Sequence, residues 1–165
     1  MLKINFLPDS DLINYSKEIV EYEKLWEKEG EKIVKTIEKI SKLEFQETQI
    51  NATIYYGSLP SRSRPLSLMI KDSKERRLSI LVHELGHRII SGNLRRKNIK
   101  IRMDAHKLLD LILYDIWTDL YGKEFADNAV KWERKILREE YRKAWDWALT
   151  FSKEERVEKF CKLLG

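Results

Sequence analysis

The sequence predicts a mixed α+β fold, mostly helical, with a small twisted sheet. Three observations carry this. Apolar residues recur at spacings of three and four along most of the chain. Two segments, 2–7 and 45–56, instead hold alternating or β-branched residues. Capping signatures, Asp72 with Glu75 and Ser152 with Glu155, punctuate the helical stretches. A chain of 165 residues is one domain, and we find no internal repeat, linker or low-complexity tract within 1–165.

In chain order, LKINFL at 2–7 is a short strand stopped by Pro8. Asp9 or Ser10 is expected to cap a helix with Leu12, Tyr15, Ile19, Tyr22, Trp26, Ile33, Ile37 and Ile40 on one face, divided or kinked at Gly30. A strand follows over 45–56, then the turn segment GSLPSRSRP. Leu66 to Ile70 forms a second short strand, and Pro65 before it suggests a sheet edge. From Asp72 a helix runs to about Ser91, with Gly92-Asn93 as its stop. Its stretch LSILVHELGHRII is apolar nearly all round, which marks a buried helix. The next helix spans about Asp104 to Tyr121, ended by Gly122. One long helix is expected over 124–150, carrying Phe125, Trp132, Ile136, Tyr141 and Trp145, and a last one after Ser152. Trp117, Trp132, Trp145 and Trp147 read as core.

Lys and Arg number 32 and Asp and Glu 27, a net charge of +5. Most of this charge is mixed-sign and belongs to solvated helix faces; the excess permits an acidic partner without arguing for nucleic acid. No apolar run approaches the ~18 residues of a membrane span, and the N-terminus lacks a signal-peptide core. The single cysteine, Cys161, fits a reducing compartment and reads as a small apolar residue of the last helix. The expectation is a soluble cytoplasmic protein with no membrane partner.

His83-Glu84-Leu85-Gly86-His87 is an HExxH motif inside the buried helix. Residues i and i+4 share a helix face, so both imidazoles can meet one metal ion, and Glu84 can reach a metal-bound water without binding the metal. Three polar side chains within two turns of a buried helix are costly unless they are used. His106 is the third and last histidine, with 18 residues between it and His87. On the wheel of 104–121 the apolar face holds Leu109, Leu113, Ile116 and Leu120, with His106 and Asp110 flanking it one turn apart. Asp115 and Asp119 fall on the far, more exposed side. His106 is therefore the expected third zinc ligand, with Asp110 or Asp115 next in line, and Asp110 the expected carboxylate holding a ligand imidazole by its other N–H.

These residues resemble the gluzincin branch of the HExxH metallopeptidases, and most closely its single-domain minimal members. In that branch the HExxH helix is followed about 20 residues later by a helix carrying a third ligand and, four residues on, an acidic residue. His106 and Asp110 match those positions, and the resemblance covers roughly residues 50–121. The branch uses Glu as third ligand where this chain has His; a three-His zinc site is also a catalytic set. The metzincin pattern fails at Ile90 and Asn93, the Spartan-type pattern fails at Lys107 after His106, and the acidic motif of repressor-cleaving metallopeptidases is not evident.

The resemblance implies a zincin-like fold with the sheet packed on the HExxH helix, and peptide-bond hydrolysis of a peptide or protein substrate. Zinc would supply an acidified water and Glu84 the general base. An extended substrate would pair with the strand Leu66, Ser67, Leu68, Met69, Ile70. The oxyanion needs an electrophilic partner, either tyrosine or arginine; Tyr114 is the first candidate, with Tyr55 and Tyr56 behind it. The basic connector Leu94–Arg102 joins the two metal helices and is expected to rim the cleft, most simply as a solvated loop, with acidic substrates or nucleic acid as the alternative it permits. A second reading is a zinc-stabilised regulatory or nucleic-acid-binding module with latent or no peptidase activity. The intact Glu84 favours the enzyme.

Overall fold

The computed structural model describes residues 2–164 except 11–13, 58, 72 and 137–138. The described elements run β1 (Lys3–Pro8), α1 (Ser16–Ser41), β2 (Gln49–Tyr55), β3 (Arg62–Ser63), β4 (Leu66–Met69), α2 (Lys74–Arg96), α3 (Ala105–Tyr121), α4 (Lys123–Ile136), α5 (Glu139–Ala148) and α6 (Lys153–Leu164). This is the mixed, mostly helical α+β architecture that periodicity predicts.

The sheet order is β1-β2-β4-β3. β1 and β4 flank β2 in parallel, and β3 lies antiparallel on the outside of β4. Alternation decides which face is covered: Ile4, Phe6, Ile50, Ala52, Ile54, Leu66 and Leu68 are buried. The polar residues between them face out, where Asn5 donates to Asn51 Oδ1 at 3.0 Å. Helices therefore pack on one face of the sheet only. The core joins that face to α3, which touches α1, α2, α4, α5 and α6. Among the described residues no helix is long and apolar enough to cross a membrane.

Several boundaries differ from the sequence reading. α1 starts at Ser16 rather than beside Asp9 or Ser10, and it runs unbroken through Gly30. That glycine makes room rather than a break: a Cβ there would stand 2.7 Å from the Trp26 ring. Leu12 and Asp72 lie outside the described residues. The cap of α2 is Ser73, whose hydroxyl accepts from Arg76 N–H. α2 also continues through Gly92 and Asn93, because Asn93 Nδ2 donates to the carbonyls of Ile89 and Glu44. Its stop comes at Asn98, left-handed at φ 53°, with the N–H of Asn98 on Arg95 O and that of Ile99 on Leu94 O. This is a Schellman ending with asparagine in the glycine place.

The single helix expected over 124–150 is two helices, α4 and α5. Arg134 Nη2 reaches Asp146 Oδ1 at 2.5 Å. Twelve residues of continuous helix would span about 18 Å, so the chain must fold back between them. Ser152 and Glu155 form the expected capping box, each side chain accepting the other's backbone N–H. Cys161 is exposed rather than packed. Of the tryptophans, Trp117 and Trp145 are fully buried and stack at 5.7 Å, whereas Trp132 and Trp147 are half-buried.

Candidate metal centre

α2 packs on α3 at Gly86, the fourth residue of the HExxH motif. A Cβ on Gly86 would lie 2.6 Å from Leu109 Cδ1, so the glycine gives the buried Leu109 side chain its room. Leu109 stands one turn after His106, and this packing brings His106 to the imidazoles of α2. Ring centroids are 4.8 Å apart for His83–His87, 4.7 Å for His87–His106 and 5.6 Å for His83–His106. One nitrogen from each ring lies within 4.8 Å of the others, a group able to hold a metal ion. α3 starts here because Asp104 accepts the N–H of His106 and of Lys107.

The three rings line a cavity of about 490 Å³, together with Glu84, Glu133, Trp132, Tyr141 and a basic segment that includes Arg62, Lys71 and Arg76. His83 Nδ1 bonds Glu133 Oε1 at 2.7 Å, and Glu133 Oε2 accepts Trp145 Nε1–H at 2.8 Å. A carboxylate on Nδ1 fixes the ring and leaves Nε2 for a metal, the usual arrangement of a ligating histidine.

Two of the three rings stand in the neutral form that role needs, and His83 would give up its proton on binding a metal. Burial holds His87 well below the ordinary histidine range, with the charges of His83 and His106 adding to it. Burial, then His83, lowers His106 to about 4. Both rings are therefore neutral near pH 7. For His83 burial works downward, but the charge and hydrogen bond of Glu133, with Glu84 and Asp110, outweigh it and lift the group to about 9. Burial raises Glu84 to about 7, opposed by His83 and helped by Glu133. A carboxyl poised near 7 can both accept and return a proton at neutral pH.

Not every expected residue takes its expected place. Asp110 is 1% exposed, and neither of its oxygens has a hydrogen-bond partner among the described residues. Burial, then the charge of Glu133, raises it well above the carboxylate range. The carboxylate that holds one of the three imidazoles is Glu133 instead. Its linear signal was faint: Ala126, Ala129, Val130 and Glu133 share one helix face, so a charged residue stands on an apolar stripe. Asp115, expected on the exposed side, is buried against Arg156.

Tyr114 points away from the histidines. Its hydroxyl donates to Asp127 at 2.8 Å, and it lines a separate groove with Lys131 and Arg134. Tyr55 donates to Leu59 O, and Tyr56 to Glu18 Oε1. The tyrosine in the cavity is Tyr141, its ring 3.8 Å from that of His106. Only the α4–α5 reversal brings it there.

Leu66, Ser67, Leu68, Met69 and Ile70 do not present a free sheet edge. β3 pairs Arg62 with Ser67 and Ser63 with Leu66, and Ser61 Oγ takes the Met69 N–H at 3.0 Å. Of these five, only Met69 lines the cavity; the outer edge belongs to β3. The turn-rich composition of 57–65 hid a two-residue strand. Arg64 and Arg88 both grip Glu47, and Arg88 Nη1 donates to Ser63 O, which ties this hairpin to α2. The basic connector also falls elsewhere: none of Leu94–Arg102 lines the cavity, whose cations come from 62–76.

Compared with protein families, curated proteins and solved structures, the chain matches none.

Proposed function

We propose that this chain is a zinc-dependent peptidase with a zincin-like arrangement of sheet and metal helices. The observation that carries the reading is the convergence of His83, His87 and His106 on one cavity wall beside the Glu84 carboxyl. Three neutral-capable imidazoles with a carboxylate behind one of them suit zinc, and a base that is not part of the ligand group suits hydrolysis. The HExxH spacing and its likeness to the gluzincins support the same chemistry.

When bound, zinc supplies Lewis acidity to a water and to the scissile carbonyl. The chain's own residues do the rest. Glu84 takes the proton of the attacking water as the C–O bond forms, and returns it to the amine as the C–N bond breaks. Glu133 holds His83 by Nδ1. Tyr141, which lines the cavity with its ring against that of His106, would be the electrophilic partner of the oxyanion. The outer edge of β3 receives the substrate main chain. The lone cysteine fits a reducing compartment, and the cytoplasm is the setting we propose.

Glu84→Gln tests the reading. It keeps the shape and the metal but cannot take a proton, and should cost about 10²–10⁴ in rate on a denatured-protein or peptide-library substrate. His87→Ala should lose metal as well, by elemental analysis. Equal cleavage by Glu84→Gln refutes the mechanism. A zinc-loaded parent that cleaves nothing favours the binding-module reading.

A further inference from the structure

We propose that the cleft selects peptides carrying an acidic side chain two to four residues from the bond that is cut, held by Arg76 and Arg62. This deepens the peptidase reading and rests on it for the cleavage step.

Two carboxylates and four cations line the cavity. Glu84 stands beside the histidines, and Glu133 has both oxygens engaged. The cations are Arg62, Arg64, Lys71 and Arg76. Arg64 is spent on Glu47 and Ser91. Arg62 and Arg76 form no ion pair among the described residues.

Arg76 is also held in place. Its guanidinium lies 5.4 Å over the ring of Trp132, which lines the same cavity. A stacked guanidinium is restrained while its fork stays available to a carboxylate. Arg62 sits on β3, the outermost described strand on its side of the sheet. A peptide added to that edge places a side chain directly across from it, where opposite charges attract.

The distance follows from helix and strand rise. Arg76 and His83 lie on α2 seven residues apart, or about 10 Å along the axis. An extended peptide advances about 3.3 Å per residue, so Arg76 stands about three residues from His83. The length of the arginine side chain widens this to two to four. Ile80, Met69 and Trp132 supply apolar wall to the same cavity.

Fluorescein-labelled decapeptides with Glu, Gln or Lys at each position test this. Cleavage is read with the zinc-loaded parent, and binding by anisotropy with zinc-loaded Glu84→Gln. A Glu peptide should exceed its Gln twin about tenfold in both, within the two-to-four window, since one charge-assisted bidentate contact separates them. Arg76→Glu and Arg62→Glu should abolish or reverse the preference, and Arg76→Lys should weaken it. Zinc content and thermal midpoint show that each variant is folded. Acidic peptides that bind but are not cut support this inference and refute the peptidase reading. Cleavage without preference, a preference that survives both charge reversals, absence of binding and cleavage alike, or tighter binding of a single-stranded oligonucleotide overturns it.

Discussion

Helix α3 buries two carboxylates five residues apart, and it treats them in opposite ways. At Asp115 both oxygens are used: Arg156 Nη2 donates to Oδ1 at 2.7 Å and Nε to Oδ2 at 3.0 Å. Arg156 spends its remaining nitrogen on Phe151 O at 2.6 Å. This pair ties α6 and the 149–152 turn to the middle of α3. At Asp110, one helix face away, the carboxyl has no hydrogen-bond partner among the described residues, and burial drives it toward the neutral form. The first region is a closed network that only holds the fold together. The second packs His83, His87, His106 and Glu84 around one cavity, with burial working against the charged form of each. The proposed metal ion would complete this cluster, since three imidazoles are a donor set able to hold one.

The largest effect should come from breaking the closed network. Arg156→Ala strands the Asp115 carboxylate and should destabilise the chain by about 3–5 kcal/mol in urea unfolding. Zinc affinity should change little. A large loss of zinc with normal stability would show that the two regions are not separate.

Next is the pH response of the metal-free chain. His83 is lifted to about 9 in the fold against an ordinary 6.5. Its contribution is fully present below pH 6.5 and is lost as pH rises toward 9, a loss of roughly 1–3 kcal/mol. Unfolding midpoints between pH 6.5 and 9 should fall, and zinc should suppress the fall. A flat profile would mean that Glu133 does not hold His83.

Glu133→Gln attacks the same contact from the metal side. It should cost about 10–100-fold in zinc affinity by chelator competition and flatten the alkaline fall. Unchanged affinity would return the supporting role to Asp110. The smallest effect belongs to Asp110→Asn. Replacing an unpartnered carboxyl should shift stability by less than about 1 kcal/mol, in either direction. A cost comparable to Arg156→Ala would mean that Asp110 is firmly bonded after all.

Local chemistry determined much of this protein from sequence alone. The helix pair holding HExxH and His106, the helix start near Asp104, the cap at Ser152, the stop at Gly122 and the alternating strands all rest on spacings of seven residues or fewer. So does the placing of His83 and His87 on one face with Glu84 beside them. His106 was legible because only three histidines exist and one turn fixes its face. Tertiary structure decided the rest. Glu133 reaches His83 across 50 positions, and Tyr141 reaches His106 only because the chain reverses between α4 and α5. Asp115 is buried because Arg156, 41 residues away, comes to meet it. β3 covers β4 through a two-residue pairing too short to leave a pattern. A helix or strand period reports which face a residue occupies. It carries no information about which distant side chain will be packed against that face, because that partner is chosen by how the elements fit together.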